Sequence, residues 1–191
     1  SLGVKSVKEL ISYSKSRPGQ INFASAGLGT SPHLSMELFL NMAGLKMVHV
    51  AYKGSGQGLI DVVSGYVPVM TPSMLSGAPH IKSGQLIALG VTSANRTIGE
   101  PNIPTIAEAG VLGYEAVQWF GALAPKGTPR EIIAKVHGAI VHVLKDPNIR
   151  KHLVNDGADP IGSSPEEFSA YIRSETEKWA RVVRSAGIKQ E

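Results

Sequence analysis

The chain has 191 residues, enough for one domain or two small ones with a real core, and 42% of them are hydrophobic against 18% charged. Nineteen Lys and Arg against fifteen Asp and Glu leave a formal net charge of +4, scattered without the basic, aromatic-interleaved stripe of a nucleic-acid binder. There are no cysteines, which excludes disulfides, thiolate metal sites and a cysteine nucleophile.

Ser6-Val7-Lys8-Glu9 spells a capping box and opens a helix that Arg17-Pro18-Gly19 stops. A strand over 21–23 runs into a Gly-rich turn, and a helix follows from Pro32 to Met42. Ser31 is its expected N-cap, Leu34, Leu38 and Met42 share one face, and Gly44 sits just past its end. The alternation repeats with a strand over 46–52, a helix over 56–64, a short strand over 67–70, a helix over 75–83 and a strand over 86–92. This order predicts a parallel sheet with helices on both faces.

The texture then turns to loops through residues 93–114, with a short helix expected at 106–109. An apolar strand is expected over 115–124. Thr128 with Pro129 opens a further helix, whose stripe is Ile132, Ile133, Val136, Ile140, Val143 and Leu144. Asp146-Pro147 separates it from a helix over 148–155. Ser164-Pro165-Glu166-Glu167 is the cleanest cap in the chain; it opens a last helix carrying Phe168, Tyr171, Ile172, Trp179, Val182 and Val183, which Gly187 ends.

The chemistry concentrates in the turn Ser25-Ala26-Gly27-Leu28-Gly29-Thr30-Ser31, which joins a strand to a helix N-terminus. The first N–H groups of a helix lack intrahelical acceptors and carry partial positive charge. Gly27 and Gly29 are expected to let the backbone approach a ligand, with Ser25, Thr30 and Ser31 adding hydroxyls. This is a site for a carboxylate or phosphate held without a formal cation. The turn is neither a phosphate-binding GxxxxGK[ST] loop nor a GxGxxG. His33, Tyr52, Lys53, Ser73 and Trp119 join Ala26 and the turn as candidate ligand contacts. Ser31 and His33, with Asp61 as a third member, also permit a hydrolase reading, although no G-x-S-x-G elbow frames the serine. The six histidines show no metal-ligand spacing, so neither metal nor cofactor is expected.

Several segments together carry a family resemblance: Phe23-Ala24-Ser25-Ala26-Gly27, Ala51-Tyr52-Lys53-Gly54, the run 88–92 followed by Arg96, Ile103-Pro104-Thr105-Ile106-Ala107-Glu108-Ala109-Gly110, Trp119-Phe120-Gly121 and Ala124-Pro125-Lys126-Gly127-Thr128-Pro129. Over essentially its whole length the chain resembles the substrate-binding receptors of tripartite tricarboxylate transporters, the Bug receptors. The resemblance implies a periplasmic-binding-protein-like (type II) α/β lobe with a parallel-type sheet over 5–118. It further implies a crossing strand and C-terminal helices over 119–191 that pack on a first lobe. The function implied is periplasmic capture of a small organic carboxylate, with delivery to one large and one small membrane subunit and no cofactor.

Family members begin with a strand and a Pro-Gly-Gly loop to which nothing here corresponds. Residues 1–5 also lack signal-peptide character. The resemblance therefore implies an N-terminally truncated member, with apolar helix faces that a second copy would cover as a dimer. The family usually has Asp where Pro68 stands and often a polar or acidic residue where Pro72 stands. A carboxylate near Pro72 could pair with a ligand amino group, and its absence favours a dicarboxylate or aromatic carboxylate over an amino acid. Besides the enzyme, a regulatory ligand-binding module of the same lobed type is the competing expectation.

Overall fold

A computed structural model describes residues 2–188. The elements follow in the order α1 (Val7–Lys15), β1 (Asn22–Ser25), α2 (Ser31–Ala43), β2 (Val48–Ala51), α3 (Ser55–Val63), β3 (Val69–Met70), α4 (Met74–Lys82), α5 (Arg130–Leu144), α6 (Pro147–Asn155) and α7 (Pro165–Ser185). The three strands form one sheet in the order β2-β1-β3, parallel throughout, with Phe23 opposite His49 and Val69. The chain thus winds from β1 through α2 to β2 on one side, then through α3 to β3 on the other. Such a reversal places a crevice beyond the strands' C-terminal ends.

Phe23 of β1 shares an apolar cluster with Val7 and Leu10 of α1, Met36, Phe39 and Leu40 of α2, and Ile106, Val111 and Tyr114. Ala24 faces the other way, toward α3. There a β-carbon on Gly58 would stand 3.5 Å from both Ala24 and Met70, so glycine lets α3 lie close on the sheet. Tyr114 is the largest fully buried side chain; its hydroxyl donates to the Ser35 carbonyl (3.0 Å) and its ring meets Phe39 edge-on.

Several expectations change. The buried face of α2 is His33, Ser35, Met36, Phe39 and Leu40, with Leu34 and Leu38 only partly covered and Met42 exposed. The helix meets the sheet and α7 on two sides, and a single i, i+4 stripe does not identify which side is deeper. At α1, Ser6 caps the Glu9 N–H, but the Glu9 carboxylate accepts from the Lys5 N–H, one residue before the expected partner. Residues 86–92 form no strand beyond one parallel bridge from Val91 to Thr105, and residues 115–124 form none. The latter segment is tied by one backbone bond from Ala116 N–H to the Thr92 carbonyl, while Phe120 and Leu123 stand exposed. Their composition suits strands, yet these isolated backbone contacts do not extend into a ladder. Residues 106–109 make a single turn closed by a reciprocal Thr105–Glu108 box. Pro129 takes the N-cap of α5, and the Thr128 hydroxyl donates back to the Pro125 carbonyl.

Of the C-terminal helices, α7 reaches the sheet-bearing unit. It buries Glu175 and Val182 and packs against α2. Glu175 accepts from the Trp179 indole (2.9 Å) and pairs with Lys178. By contrast α5 buries no residue completely, and Ile132, Val136, Ile140 and Val143 remain exposed.

Candidate functional site

β1 delivers the chain into a turn that requires two glycines for conformational reasons. Gly27 has φ 130° and Gly29 φ 72°. At Gly27 a β-carbon would also lie 3.3 Å from the Tyr52 carbonyl oxygen, so the close approach there is to β2's end. The turn is fastened from within. Gly27 N–H donates to Ser25 Oγ (3.1 Å), and the Thr30 hydroxyl (2.7 Å) and N–H (3.3 Å) both donate to the Gly27 carbonyl.

It is also fastened from beneath. Gly29 N–H donates to His33 Nδ1 (3.0 Å), and His49 Nε2 lies 2.5 Å from Ser25 Oγ. Ser25 is fully buried and His33 nearly so. The rings of Phe23, His49 and His33 form a continuous stack, with the two imidazoles 3.8 Å apart and 10° from parallel. Both histidine and serine therefore support the turn from the sheet side.

The opening itself is made by α2. Thr30 is its N-cap in extended conformation (φ −72°, ψ 160°) and makes no side-chain cap, so the helix starts one residue earlier than expected. The N–H groups of Ser31 and His33 precede the first intrahelical bond, which runs from Leu34 N–H to the Thr30 carbonyl, and Pro32 between them has no N–H. Side chains cap α1, α4, α6 and α7, through Ser6, Ser73, Asp146 and Ser164. Like α2, α3 begins without one, at Gly54 with φ 143°.

Across the reversal point, the Thr71 hydroxyl donates to the Pro32 carbonyl (2.9 Å) and binds the end of β3 to the start of α2. Ala26, Thr30, Ser31, Ser55, Thr71 and Ser73 line a groove of about 2150 Å³ that continues along α5 and α7. A single small-molecule pocket is typically about 300–1,000 Å³. Thr71 and Ser55 escaped the sequence reading; the signal that finds them is their place directly after β3 and at an uncapped helix start beside the reversal.

Other candidates fall outside this opening. The Tyr52 hydroxyl is bound to Asp61 of α3 (2.6 Å), a carboxylate contact that raises the phenol pKa. Lys53 is exposed and forms no hydrogen bond or ion pair among the described residues. Trp119 lines the groove but meets Phe168 and Tyr171 of α7 edge-on, at 5.4 and 5.8 Å between ring centres. Burial, reinforced by the neighbouring His33 and partly opposed by Glu37, lowers the His49 pKa to about 4, so its ring is neutral near pH 7. No cluster of His, Asp or Glu suited to a metal occurs among the described residues, and none of their helices is long and apolar enough to cross a membrane.

The hydrolase arrangement is not assembled. Ser31 is exposed, while the His33 ring points into the fold, with Nδ1 held by Gly29 and Nε2 3.5 Å from Glu37. Asp61 is engaged by Tyr52.

Residues 2–188 match the model of the tripartite tricarboxylate transporter family receptor. The protein BugT of Bordetella pertussis is 36% identical over 188 residues, covering 98% of this chain and 58% of BugT. Among solved structures, R. palustris Rpa4515 with adipate is 38% identical with a TM-score of 0.85, covering 98% of this chain and 63% of that one. MatC of Rhodopseudomonas palustris with bound malate is 28% identical with a TM-score of 0.78, covering 96% and 63% respectively. The chain spans 54% and 58% of the lengths of the first two curated relatives it matches.

Proposed function

Because the chain belongs to the tripartite tricarboxylate transporter receptor family, we propose that it supplies the carboxylate-holding lobe of a periplasmic solute receptor. The family is one of receptors, and the reading as an enzyme is set aside with it. One observation carries the proposal: the start of α2, which no side chain caps, opens at Thr30 and Ser31 into a groove, next to Thr71 at the reversal of the sheet. Uncapped N–H groups at the positive end of a helix can hold a carboxylate without a cation.

The ligand class is a dicarboxylate or aromatic carboxylate. Adipate and malate, the ligands named for two structural relatives, support the first. Pro72 supplies no carboxylate at its position, after β3, to pair with a ligand amino group. Residues 5–118 are the ligand-holding unit, and residues 119–191 are the crossing segment with its helices. Closure of the lobes traps the solute and presents it to one large and one small membrane subunit. The exposed apolar stripe of α5 is assigned to contact with a second copy.

The test is titration calorimetry on the full product of the gene encoding this chain, with adipate, malate and benzoate against a panel of amino acids. Saturable binding of at least one acid, and of no amino acid, is expected. Binding of no acid refutes the proposal.

A further inference from the structure

His33 and His49 lie outside the groove, yet each is attached to the turn that shapes it. Gly29 N–H donates to His33 Nδ1, so Nδ1 must carry a lone pair and the ring proton belongs on Nε2, facing Glu37. His49 Nε2 holds Ser25 Oγ, which in turn accepts from Gly27 N–H. Two glycines with positive φ have little intrinsic preference for one shape. The Gly29 N–H is nevertheless fixed to His33 and the Gly27 N–H to Ser25, which His49 holds in turn, and the two imidazoles stack on each other and on Phe23.

We propose that the stacked His33–His49 pair is the positioning device of the ligand turn, holding Gly27 and Gly29 from the sheet side so that the start of α2 stays open, and that this hold requires His33 to carry no proton on Nδ1. The proposal rests on the carboxylate-site reading above. Protonation of His33 at Nδ1 would set N–H against the Gly29 N–H and release it. Charge on both rings at once would set like charges 3.8 Å apart. The ionisable groups set against the pair are Glu37, on α2, and each other. Neither imidazole touches the solute; both act through the backbone they carry.

Two substitutions separate positioning from packing. His33→Asn keeps an acceptor near the place of Nδ1 but loses the ring. His33→Phe keeps the stacked ring and loses the acceptor. A merely structural role predicts that Phe is the milder change for every readout.

Positioning predicts a crossed result. In His33→Phe the melting temperature is retained better, but the Gly29 amide loses its hydrogen-exchange protection and adipate affinity falls tenfold or more. In His33→Asn the fold is less stable, but protection and affinity are kept within about threefold. Nitrogen-15 spectra of the unsubstituted full chain give a check independent of any variant, with the His33 proton expected on Nε2. A proton on Nδ1, or unchanged Gly29 protection and affinity in His33→Phe, overturns the proposal while leaving the carboxylate site intact. Failure of the unsubstituted protein to bind adipate, malate or benzoate overturns both.

Discussion

Replacing Gly27 by alanine tests whether the turn is built as described. The residue has φ 130°, and the new β-carbon would press on the Tyr52 carbonyl at 3.3 Å. A side chain held in so sparsely populated a region costs about 1–3 kcal/mol. The opposing oxygen has little room to yield, because the Tyr52 N–H is bonded to the Ser25 carbonyl at 3.1 Å and closes β2 onto β1. For a chain of this length about 1–3 kcal/mol lowers Tm by roughly 2–12 °C.

Gly29 is the internal control. Its φ of 72° lies near the left-handed helical region, and a β-carbon there meets nothing within 4 Å. Gly29→Ala should cost about 1–2 kcal/mol, and Gly29→Asn less, since asparagine visits that region readily. Asparagine at position 27 should gain no such relief, because φ 130° lies outside it. Urea unfolding of the four variants, read by circular dichroism, measures the contrast. If Gly27→Asn proves as mild as Gly29→Asn, the account of the turn is wrong.

Two further outcomes follow from the buried chemistry. His49 titrates near 6.5 when unfolded but at about 4 in the fold, so between these values the unfolded chain binds more protons. Stability should therefore fall as pH drops from 6.5 to 4 and gain no further slope from this group below that. Linkage bounds the loss at about 3 kcal/mol, and the ring's partial exposure reduces it to about 1–2 kcal/mol. Denaturant unfolding across that window checks it, and a flat profile refutes it. Tyr114→Phe should cost about 1 kcal/mol, for the bond to Ser35, whereas Tyr114→Ala should cost about 3–5 kcal/mol by opening a cavity beside Phe39. Equal Tm losses in the two variants would contradict that division.

The local stops and starts were legible in the sequence because they are local interactions. Ser6, Asp146 and Ser164 each bond to N–H groups two or three residues on, and Gly44 reaches φ 65° at the end of α2 whatever packs around it. The alternation of strands and helices through residue 82 was equally plain, and with it the turn after β1. The strands expected over 86–92 and 115–124 were not borne out. A strand is defined by a partner across space, and their apolar composition says nothing of whether one is there.

For the site, the chain by itself determined that an anion-binding turn stands at a helix start, and it carried the segments that place the molecule in its receptor family. Which atoms of that turn face the groove was decided only by tertiary structure. The register of β1 against β2 sets Phe23 and Ser25 beside His49, and the packing of α2 on the same face brings His33 under the turn. Those contacts engage the N–H groups of Gly27 and Gly29 and leave those of Ser31 and His33 without intrahelical acceptors. Those two bonds are short in sequence, but their acceptors Ser25 and His33 are oriented by His49 on the neighbouring strand, and no local pattern encodes that meeting.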